Sequence, residues 1–336
     1  MPLPPNKRIS AHPRRRLANL LVLFIWLTAL ALVAANRQDL IDWWRLRDYN
    51  PPQTIAKLAS ETTMNDFGRR IFYVNYPELI NKSSFKKSCP TAGGEQTIVL
   101  GCYHSGQSGI FLLDVNDPRL EGVEQVTAAH EMLHGAYERL SGSERKRVDK
   151  LLQNYYDNDL KDERIRSTID AYKKTEPNDL VNEMHSIFAT EVATLPAALE
   201  EYYSRYFSNR AQVVAFGAQY QAEFTSRRAL IVQYDAQLAD LKSRIDNLQT
   251  DLKSQQVAIN NRESTLVAQR NSGEIAAYNA GVPVYNGMVN TYNAGVRQVQ
   301  ALIEQYNQLV TTRNAVALEE DQLVKDLSTD VAPINN

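Results

Sequence analysis

The C-terminal part of the chain carries two seams of apolar residues that restrict it to one kind of fold. From about residue 209, apolar side chains recur at alternating spacings of three and four, which places them along one stripe of an α-helix. The first seam consists of Tyr220, Phe224, Ile231, Tyr234, Leu238, Leu241, Ile245, Leu248, Leu252, Ile259 and Leu266, with polar breaks at Arg227, Gln255 and Arg262. The second follows a turn sequence at 270–274 and consists of Tyr278, Val282, Tyr285, Val289, Tyr292, Val296, Val299, Ile303, Tyr306 and Val310. Two such seams predict an antiparallel coiled-coil hairpin over residues 208–326, followed by a tail at 327–336.

The second seam contains a heptad repeat, which reads YNAGV, YNGMV and YNAGV and is followed by YNQLV. Tyr and Val occupy the core positions, and Gly or Ala between them lets a partner helix approach. Tyrosine at core positions indicates packing rather than a platform for a ligand. Pro283 is expected to kink or to start the second helix. The hairpin also offers a surface for a protein partner or for self-association.

Residues 17–35, LANLLVLFIWLTALALVAA, form an apolar run that is interrupted only by Asn19 and Thr28. At about 1.5 Å per residue, a helix of this length crosses a hydrocarbon core of roughly 30 Å, which predicts a transmembrane anchor. A cleaved secretory signal is the alternative, because residues 33–35 resemble a cleavage site. The anchor is favoured because the apolar core of a cleaved signal is usually only about 7–15 residues long.

Basic residues cluster ahead of this run. Residues 1–16 contain five basic residues and no acidic one, whereas residues 36–48 are charge-balanced. The positive-inside rule therefore predicts a cytoplasmic basic tail at 1–16, a single membrane anchor at 17–35, and a chain that is extracytoplasmic from residue 36 onward. Trp43 and Trp44 would suit the membrane interface on the exported side. Such an organisation is typical of a bacterial envelope.

Charge and cysteine content narrow the function classes. Without the basic tail, the chain has 32 basic and 39 acidic residues, and this mildly acidic balance argues against nucleic-acid binding. Cys89 and Cys102 are the only cysteines. A pair of cysteines in an exported chain predicts a disulfide. Two unpaired buried thiols are the alternative, and a Cys/His zinc site is disfavoured because no second cysteine pair accompanies them.

Short strand patterns follow the anchor. Residues 36–56 are interpreted as a juxtamembrane linker that ends in a segment with two prolines. Runs of β-branched and aromatic residues lie at 71–76 (IFYVNY), 97–103 (TIVLGCY) and 109–115 (GIFLLDV). The last two flank the sequence HSGQS, which predicts a β-hairpin that turns at Gly106.

Helical patterns follow the hairpin. The first predicted helix ends near the sequence SGS, where Ser143 is expected to cap the next helix. Further helices are predicted at 161–174, at about 178–193 and at 197–207, the last two after a proline. Residues 57–207 are therefore predicted to form an α+β, helix-rich domain with a short sheet.

The first of these helices contains the sequence HEMLH. On a helix, His130 and His134 are one turn apart, so both imidazoles emerge from one face and can bind a single tetrahedral zinc ion. Glu131 lies beside them and is expected to act as a general base on a zinc-bound water that attacks a carbonyl. The alternative is a pair of solvent-facing histidines on an ordinary amphipathic helix.

A catalytic zinc site needs a third protein ligand. Residues 177–192 offer Glu183, His185 and Glu191. Residues two apart point to different faces of a helix, so Glu183 and His185 cannot both be ligands, whereas Glu183 and Glu191 share a face. The residues alone leave this choice open.

The arrangement resembles the gluzincin branch of the zincin metallopeptidases, in which a second helix, often containing Asn-Glu, follows the H-E-x-x-H helix. Here Asn182 and Glu183 match that pair. The resemblance covers roughly residues 65–206. It departs from the group at Ile187, where many members have an acidic residue.

What the resemblance implies is a zincin-like fold for residues 57–207 with a bound Zn²⁺. It assigns His130, His134 and Glu183 as metal ligands and Glu131 as the general base. It also implies that the run GIFLLDV is an edge strand that holds an extended substrate.

The expected function is therefore a membrane-anchored extracytoplasmic zinc metalloendopeptidase that hydrolyses a peptide or protein substrate. One alternative is a membrane-anchored coiled-coil scaffold with a structural or non-catalytic metal motif. Another is an exported zinc-dependent hydrolase that acts on something other than a peptide.

Overall fold

The computed structural model describes residues 13–90, 100–175 and 177–328. The chain divides into two compact units, of which the first is Met1–Asp114 with Glu124–Val214 and the second is Val115–Val123 with Ala215–Asn336. The first unit thus extends past the predicted boundary at residue 207. The physical reason is that Val213 is fully buried in its core.

Helix α1, Pro13–Ala35, contains the apolar run of the predicted anchor. Its window Ala18–Ala35 has a mean hydropathy of 2.4, and no part of that window is buried. The helix is long and apolar enough to cross a membrane, and a signal sequence would share these properties. Most of the predicted basic tail, residues 1–12, lies outside the described residues, as does most of the tail at 327–336.

The segment interpreted as a linker contains two helices instead. Helix α2, Arg37–Leu46, packs against the rest of the first unit through the buried side chain of Asp42. Helix α3, Gln53–Glu61, starts directly after Pro52 and buries Ile55 and Leu58. The two prolines therefore mark the start of a helix. Proline has no backbone N–H, and the N–H groups at the start of a helix have no hydrogen-bond partner within it, so nothing is lost there.

The first four residues of the run IFYVNY, expected to be a strand, belong to helix α4, Asp66–Val74. The side chain of Asn65 accepts hydrogen bonds from the backbone N–H groups of Phe67 and Gly68 and so caps this helix. Ile71 and Phe72 are fully buried in the core. The cap and the burial of one face outweigh the strand preference of these residues.

A three-stranded sheet follows, in the order β1-β3-β2. Its strands are β1, Glu78–Ile80, β2, Gly101–His104, and β3, Gly109–Leu113. Strand β3 pairs parallel with β1 and antiparallel with β2. The predicted hairpin is confirmed for the described residues, and its turn includes Gly106 at φ +69°. The expectation that GIFLLDV forms an edge strand is wrong, because β3 is the central strand.

The two cysteines form a disulfide between Cys89 and Cys102, with Cα atoms 5.9 Å apart. Cys89 ends helix α5, Lys82–Ser88, and Cys102 lies on β2. Residues 91–99 between them, which include the start of the run TIVLGCY, lie outside the described residues. The disulfide therefore ties an edge of the sheet to α5.

Five helices follow the sheet, and all of their residues except Val123 belong to the first unit. They are α6, Val123–Glu138, α7, Gly142–Asn158, α8, Glu163–Thr175, α9, Leu180–Glu191, and α10, Ala197–Tyr203. The cap of α7 is Ser141 rather than the expected Ser143. Ser141 and Glu144 bond each other's backbone N–H groups in a capping box. The core lies between these helices and the sheet, and it includes Leu112, Leu133 and Phe188.

The second unit confirms the helical hairpin. Helix α11, Arg210–Asn271, and helix α12, Ile275–Leu327, are joined by a turn with Gly273 at φ +82°. Ion pairs link Arg228 with Glu320 and Asp235 with Arg313, so residue numbers rise on one helix as they fall on the other. This is the antiparallel pairing that the two seams predict.

Two details of the second seam differ from the prediction. Leu302 is buried, whereas Ile303 is 39 % exposed, so the seam passes through Leu302. Of the two expectations for Pro283, a kink or the start of the second helix, the second is wrong because Pro283 lies inside α12. The helices approach closely at Gly281 and Gly295, where a Cβ atom would lie less than 3 Å from Leu266 and Leu252, respectively.

Candidate metal centre

Helix α6 presents the two motif histidines on one face. The rings of His130 and His134 have centroids 4.8 Å apart and an interplanar angle of 71°. The helix is held by an apolar face, since Ala129, Met132 and Leu133 are fully buried. Because the core fixes the rotation of α6, the direction in which both imidazoles point is fixed as well.

Helix α9 brings Glu183 to the same place. Its carboxylate oxygens lie 3.5 Å from Nε2 of His130 and 3.5 Å from Nε2 of His134, one oxygen facing each ring. One ligand atom from each of the three residues lies within 4.8 Å of the others. The helix that carries Glu183 is itself buried from Glu183 through Thr190. The structure thus joins two residues that are four apart with one that is far away in sequence.

Burial and neighbouring charge act in opposite directions on the pKa of Glu183. The carboxylate is only 7 % exposed, and this burial alone would raise its pKa. The neighbouring imidazoles of His134 and His130 outweigh burial and hold the pKa of Glu183 below its ordinary value. The site therefore favours a carboxylate, which is the form that binds a cation.

The separations between the three side chains suit a bound divalent ion better than hydrogen bonds among the side chains. A separation of 3.5 Å is longer than an N–H···O hydrogen bond, which is about 2.7–3.2 Å, and the buried Oε2 of Glu183 has no hydrogen-bond partner. Ligands about 2.0–2.1 Å from a tetrahedral zinc ion lie about 3.3 Å from each other. Two imidazole nitrogens and one carboxylate oxygen that lie within 4.8 Å of one another form a donor set that zinc accepts. The side chain of His130 is 17 % exposed, so the group is open on its side.

The other two candidate ligands have different partners. His185 is fully buried, and its Nε2 lies 2.9 Å from the hydroxyl of Tyr202. Burial, followed by the charges of His134 and His130, lowers the pKa of His185 to about 3, so the ring is neutral. Glu191 forms an ion pair with Arg164 of α8. Neither belongs to the cluster of His130, His134 and Glu183.

Tyrosines around His185 support the helix that carries Glu183. Tyr203 donates a hydrogen bond of 2.8 Å to the backbone oxygen of His185, and Tyr202 contacts Tyr206 through their hydroxyl groups at 3.1 Å. All three tyrosines are buried. This cluster was not among the residues that the sequence singled out. The signal was the spacing of Tyr202 and Tyr206, one helical turn apart.

Strand β2 passes directly over Glu131. A Cβ atom at Gly101 would lie 2.7 Å from Oε1 of Glu131 and 2.6 Å from a methyl carbon of Thr127. Glu131 is 5 % exposed. Only glycine fits at this point without displacing the carboxylate, so the edge of the sheet and the predicted general base are in contact.

Tyr103 is a further residue of the site that the sequence did not reveal. Its ring stacks beside that of His134, with centroids 6.5 Å apart and planes 18° apart. Its hydroxyl donates a hydrogen bond to Glu138, which also accepts one from the backbone N–H of Gly106. Burial and the bond to Glu138 raise the pKa of Tyr103 above its ordinary value. The β2–β3 turn is therefore fastened to α6 one turn beyond His134.

No protein-family model matches this chain, and comparison with curated proteins and with solved structures likewise gives no match. The geometry of the site is therefore the basis for inferring a function.

Proposed function

We propose that this protein is a membrane-anchored zinc-dependent peptidase. The observation that carries the proposal is the convergence of His130, His134 and Glu183 on one point, with Glu131 following the first histidine. His130 and His134 would supply the nitrogen ligands and Glu183 the oxygen ligand. The coordination position beside the partly exposed His130 would remain for water and substrate.

The chemistry would be hydrolysis with a carboxylate base. An ion held by the three residues would act as a Lewis acid on a carbonyl and bring the pKa of a water that it binds to about 7. Glu131 would take the proton of the attacking water and pass it to the leaving amine. Its contact with the backbone of Gly101 would hold the carboxylate in one orientation.

The substrate would bind as an extended segment along β2. Strand β2 pairs with β3 on one side, and no other strand among the described residues pairs with it. Its backbone passes Glu131, and Tyr103 on the same strand lies beside His134. A peptide added to this edge would form main-chain hydrogen bonds and bring its carbonyl groups to the site. This assignment moves the substrate strand from β3, which is central, to β2.

Location follows from helix α1. Its exposed apolar window would place α1 in a membrane as an anchor, with the basic residues at its start on the cytoplasmic side. The first unit would then lie outside the cytoplasm, where its disulfide is stable.

The test combines metal analysis with two variants of helix α6. Full-length protein should contain about one zinc ion per chain and should cleave an unstructured protein such as casein. Glu131→Gln should keep the zinc and lose cleavage, because Gln cannot accept the proton. Glu124→Gln, in the first turn of the same helix, should change neither.

The outcomes separate the alternatives. Folded wild-type protein without zinc would overturn the proposal and favour a membrane-anchored coiled-coil scaffold. That reading has its own support in the length of the α11–α12 hairpin. Zinc without cleavage of any peptide would favour a hydrolase for another substrate class. Cleavage that survives in Glu131→Gln would exclude Glu131 as the base.

A further inference from the structure

Helix α2 has two faces of opposite character. At about 100° per residue, Leu40, Trp43 and Trp44 cover an arc of roughly 100° on one side of the helix. Asp42 and Arg45 lie on the other side. The first set is exposed and the second contacts the rest of the first unit, so the helix is docked by one face only.

The docked face is held by charged groups in defined geometry. Arg139 donates two hydrogen bonds to the carboxylate of Asp42, at 2.7 and 2.9 Å, and Asp42 is 1 % exposed. Arg45 donates to the backbone oxygens of Val74 and Gln107, each at 3.0 Å. Paired and bidentate contacts of this kind fix an orientation as well as a position.

This docking connects α2 to the helix of the candidate metal centre. Arg139 follows the last residue of α6, and His134 lies five residues before it, about 7.5 Å along the helix axis. Helix α2 and His134 are therefore held in a fixed relation to each other. Any surface that holds the outer face of α2 also holds the candidate site at a fixed height above it.

The outer face is strongly apolar and exposed. Leu40 is 47 % exposed, Trp43 66 % and Trp44 63 %. Two adjacent exposed tryptophans with a leucine are unusual on a water-facing surface. They begin five residues after α1, the helix that is long and apolar enough to cross a membrane. Tryptophan is enriched where a membrane meets water, because the ring is apolar and its N–H is polar.

We propose that the outer face of α2, formed by Leu40, Trp43 and Trp44, lies in the lipid headgroup region of the membrane that holds α1. The proposal rests on the anchoring part of the proposed function but not on its chemistry. A helix along the membrane normal would carry Trp44 about 14 Å beyond Ala35, past a headgroup layer of roughly 5–8 Å. Helix α2 therefore lies along the membrane surface as an interfacial helix.

This arrangement defines the substrate class. The ion pair between Asp42 and Arg139 keeps the candidate metal centre within a short distance of the lipid surface. Polypeptide segments that lie next to the membrane would reach it, including the exposed ends of membrane-spanning proteins and chains bound to the surface.

Tryptophan fluorescence of the full-length protein in phospholipid vesicles tests the proposal, because the chain has only three tryptophans. The variant Trp26→Phe leaves Trp43 and Trp44 as reporters of α2. The double variant Trp43→Phe/Trp44→Phe leaves Trp26 as a matched reporter of α1. Each is measured with phospholipids brominated near the headgroup, with phospholipids brominated near the chain ends, and with aqueous iodide.

In Trp26→Phe, headgroup-proximal bromines should quench emission more strongly than deep bromines, and iodide should quench little. Quenching by iodide alone would overturn the proposal, and protection from both iodide and bromines would overturn it in favour of a protein partner. In the double variant, deep bromines should quench Trp26. If they do not, the anchoring proposal fails together with this one, whereas quenched Trp26 with iodide-quenched Trp43 and Trp44 overturns this proposal alone.

Discussion

At the scale of single residues, the candidate site depends on two contacts that no local pattern encodes. One is the approach of Glu183 to His130 and His134 at 3.5 Å. The other is the passage of Gly101 over Glu131. The first would determine whether a cation binds, and the second would determine how the general base is oriented.

Replacement of the carboxylate ligand should abolish tight zinc binding. In Glu183→Gln, a neutral amide replaces a buried anion between two imidazoles, so zinc affinity should fall by at least the roughly 10–100-fold that loss of an outer partner costs. Competition with a chromophoric chelator measures this. Glu191→Gln on the same helix, whose carboxylate pairs with Arg164, should retain the affinity of the wild type. Equal zinc affinity in Glu183→Gln and wild type would exclude Glu183 as a ligand.

A methyl group at Gly101 should disturb the site and the fold together. Gly101→Ala places a carbon 2.6 Å from Thr127 and 2.7 Å from Glu131, and overpacking of this kind costs about 1–3 kcal/mol. Urea unfolding should show that loss, and any Glu131-dependent cleavage should fall. Gly142→Ala is the matched control, since nothing lies within 4 Å of its new carbon. A stability unchanged by Gly101→Ala would contradict the close approach of β2 to α6.

At the scale of elements, the helices that follow α9 hold it in place. Arg210, at the start of α11, donates hydrogen bonds to the backbone oxygens of Ala189 and Val192 at the end of α9 and forms an ion pair with Glu200 of α10. An arginine side chain that reaches the C-terminal end of a helix, as Arg210 reaches α9, can donate hydrogen bonds to the carbonyl groups that have no partner within that helix. The helix that carries Glu183 is thus fixed by residues from two others.

This ion pair should make stability depend on pH. The hydrogen bond from Arg210 lowers the pKa of Glu200 below its ordinary value of 4.5. The stabilisation is therefore complete above about pH 5 and is lost as the pH falls through the folded-state pKa. Glu200→Gln should lower the free energy of unfolding by about 1 kcal/mol at neutral pH, since the pair is partly exposed.

The difference from wild type should shrink toward zero as the pH falls below 4.5 and through the lowered folded-state pKa of Glu200, because protonated Glu200 resembles Gln. Urea unfolding across this range measures it. Glu201→Gln, at the exposed neighbouring position, should show no such difference. A gap between wild type and Glu200→Gln that stays constant with pH would contradict the role of the ion pair.

At the scale of the whole molecule, the chain combines the hairpin of α11 and α12, the apolar helix α1, and a mixed unit, which is the part of the first unit that contains the sheet and the candidate metal centre. The hairpin and the mixed unit are separate compact units. The apolar helix would place the mixed unit at a membrane, and α2 lies next to it in sequence. Anchoring would then restrict the substrates that the site can reach.

The anchor should remain on the mature protein. If α1 spans the membrane, the purified protein should have a mass near 38.0 kDa and should stay with membranes after an alkaline wash. A cleaved signal would instead give a new N-terminus near Asn36, since the small residues before it resemble a cleavage site. Intact-mass measurement and N-terminal sequencing distinguish these results. A mature chain that begins near Asn36 would contradict both the anchor and the interfacial role of α2.

The sequence by itself determined the features that arise within one continuous segment. Periodic spacing identified the hairpin of α11 and α12, the apolar run identified α1, and the interval of four placed His130 and His134 on one face. These features depend on helical geometry, which repeats along the chain. Glu183 was among the candidates for the same reason, but its preference over His185 and Glu191 came from a resemblance.

Contacts between distant segments settled the remaining features. They placed β3 at the centre of the sheet, made the first four residues of IFYVNY helical and brought Glu183 rather than His185 or Glu191 to the two histidines. They also include the ion pair between Asp42 and Arg139, which are 97 residues apart. Contacts between distant segments depend on how buried faces fit together, and a local spacing carries no information about that fit.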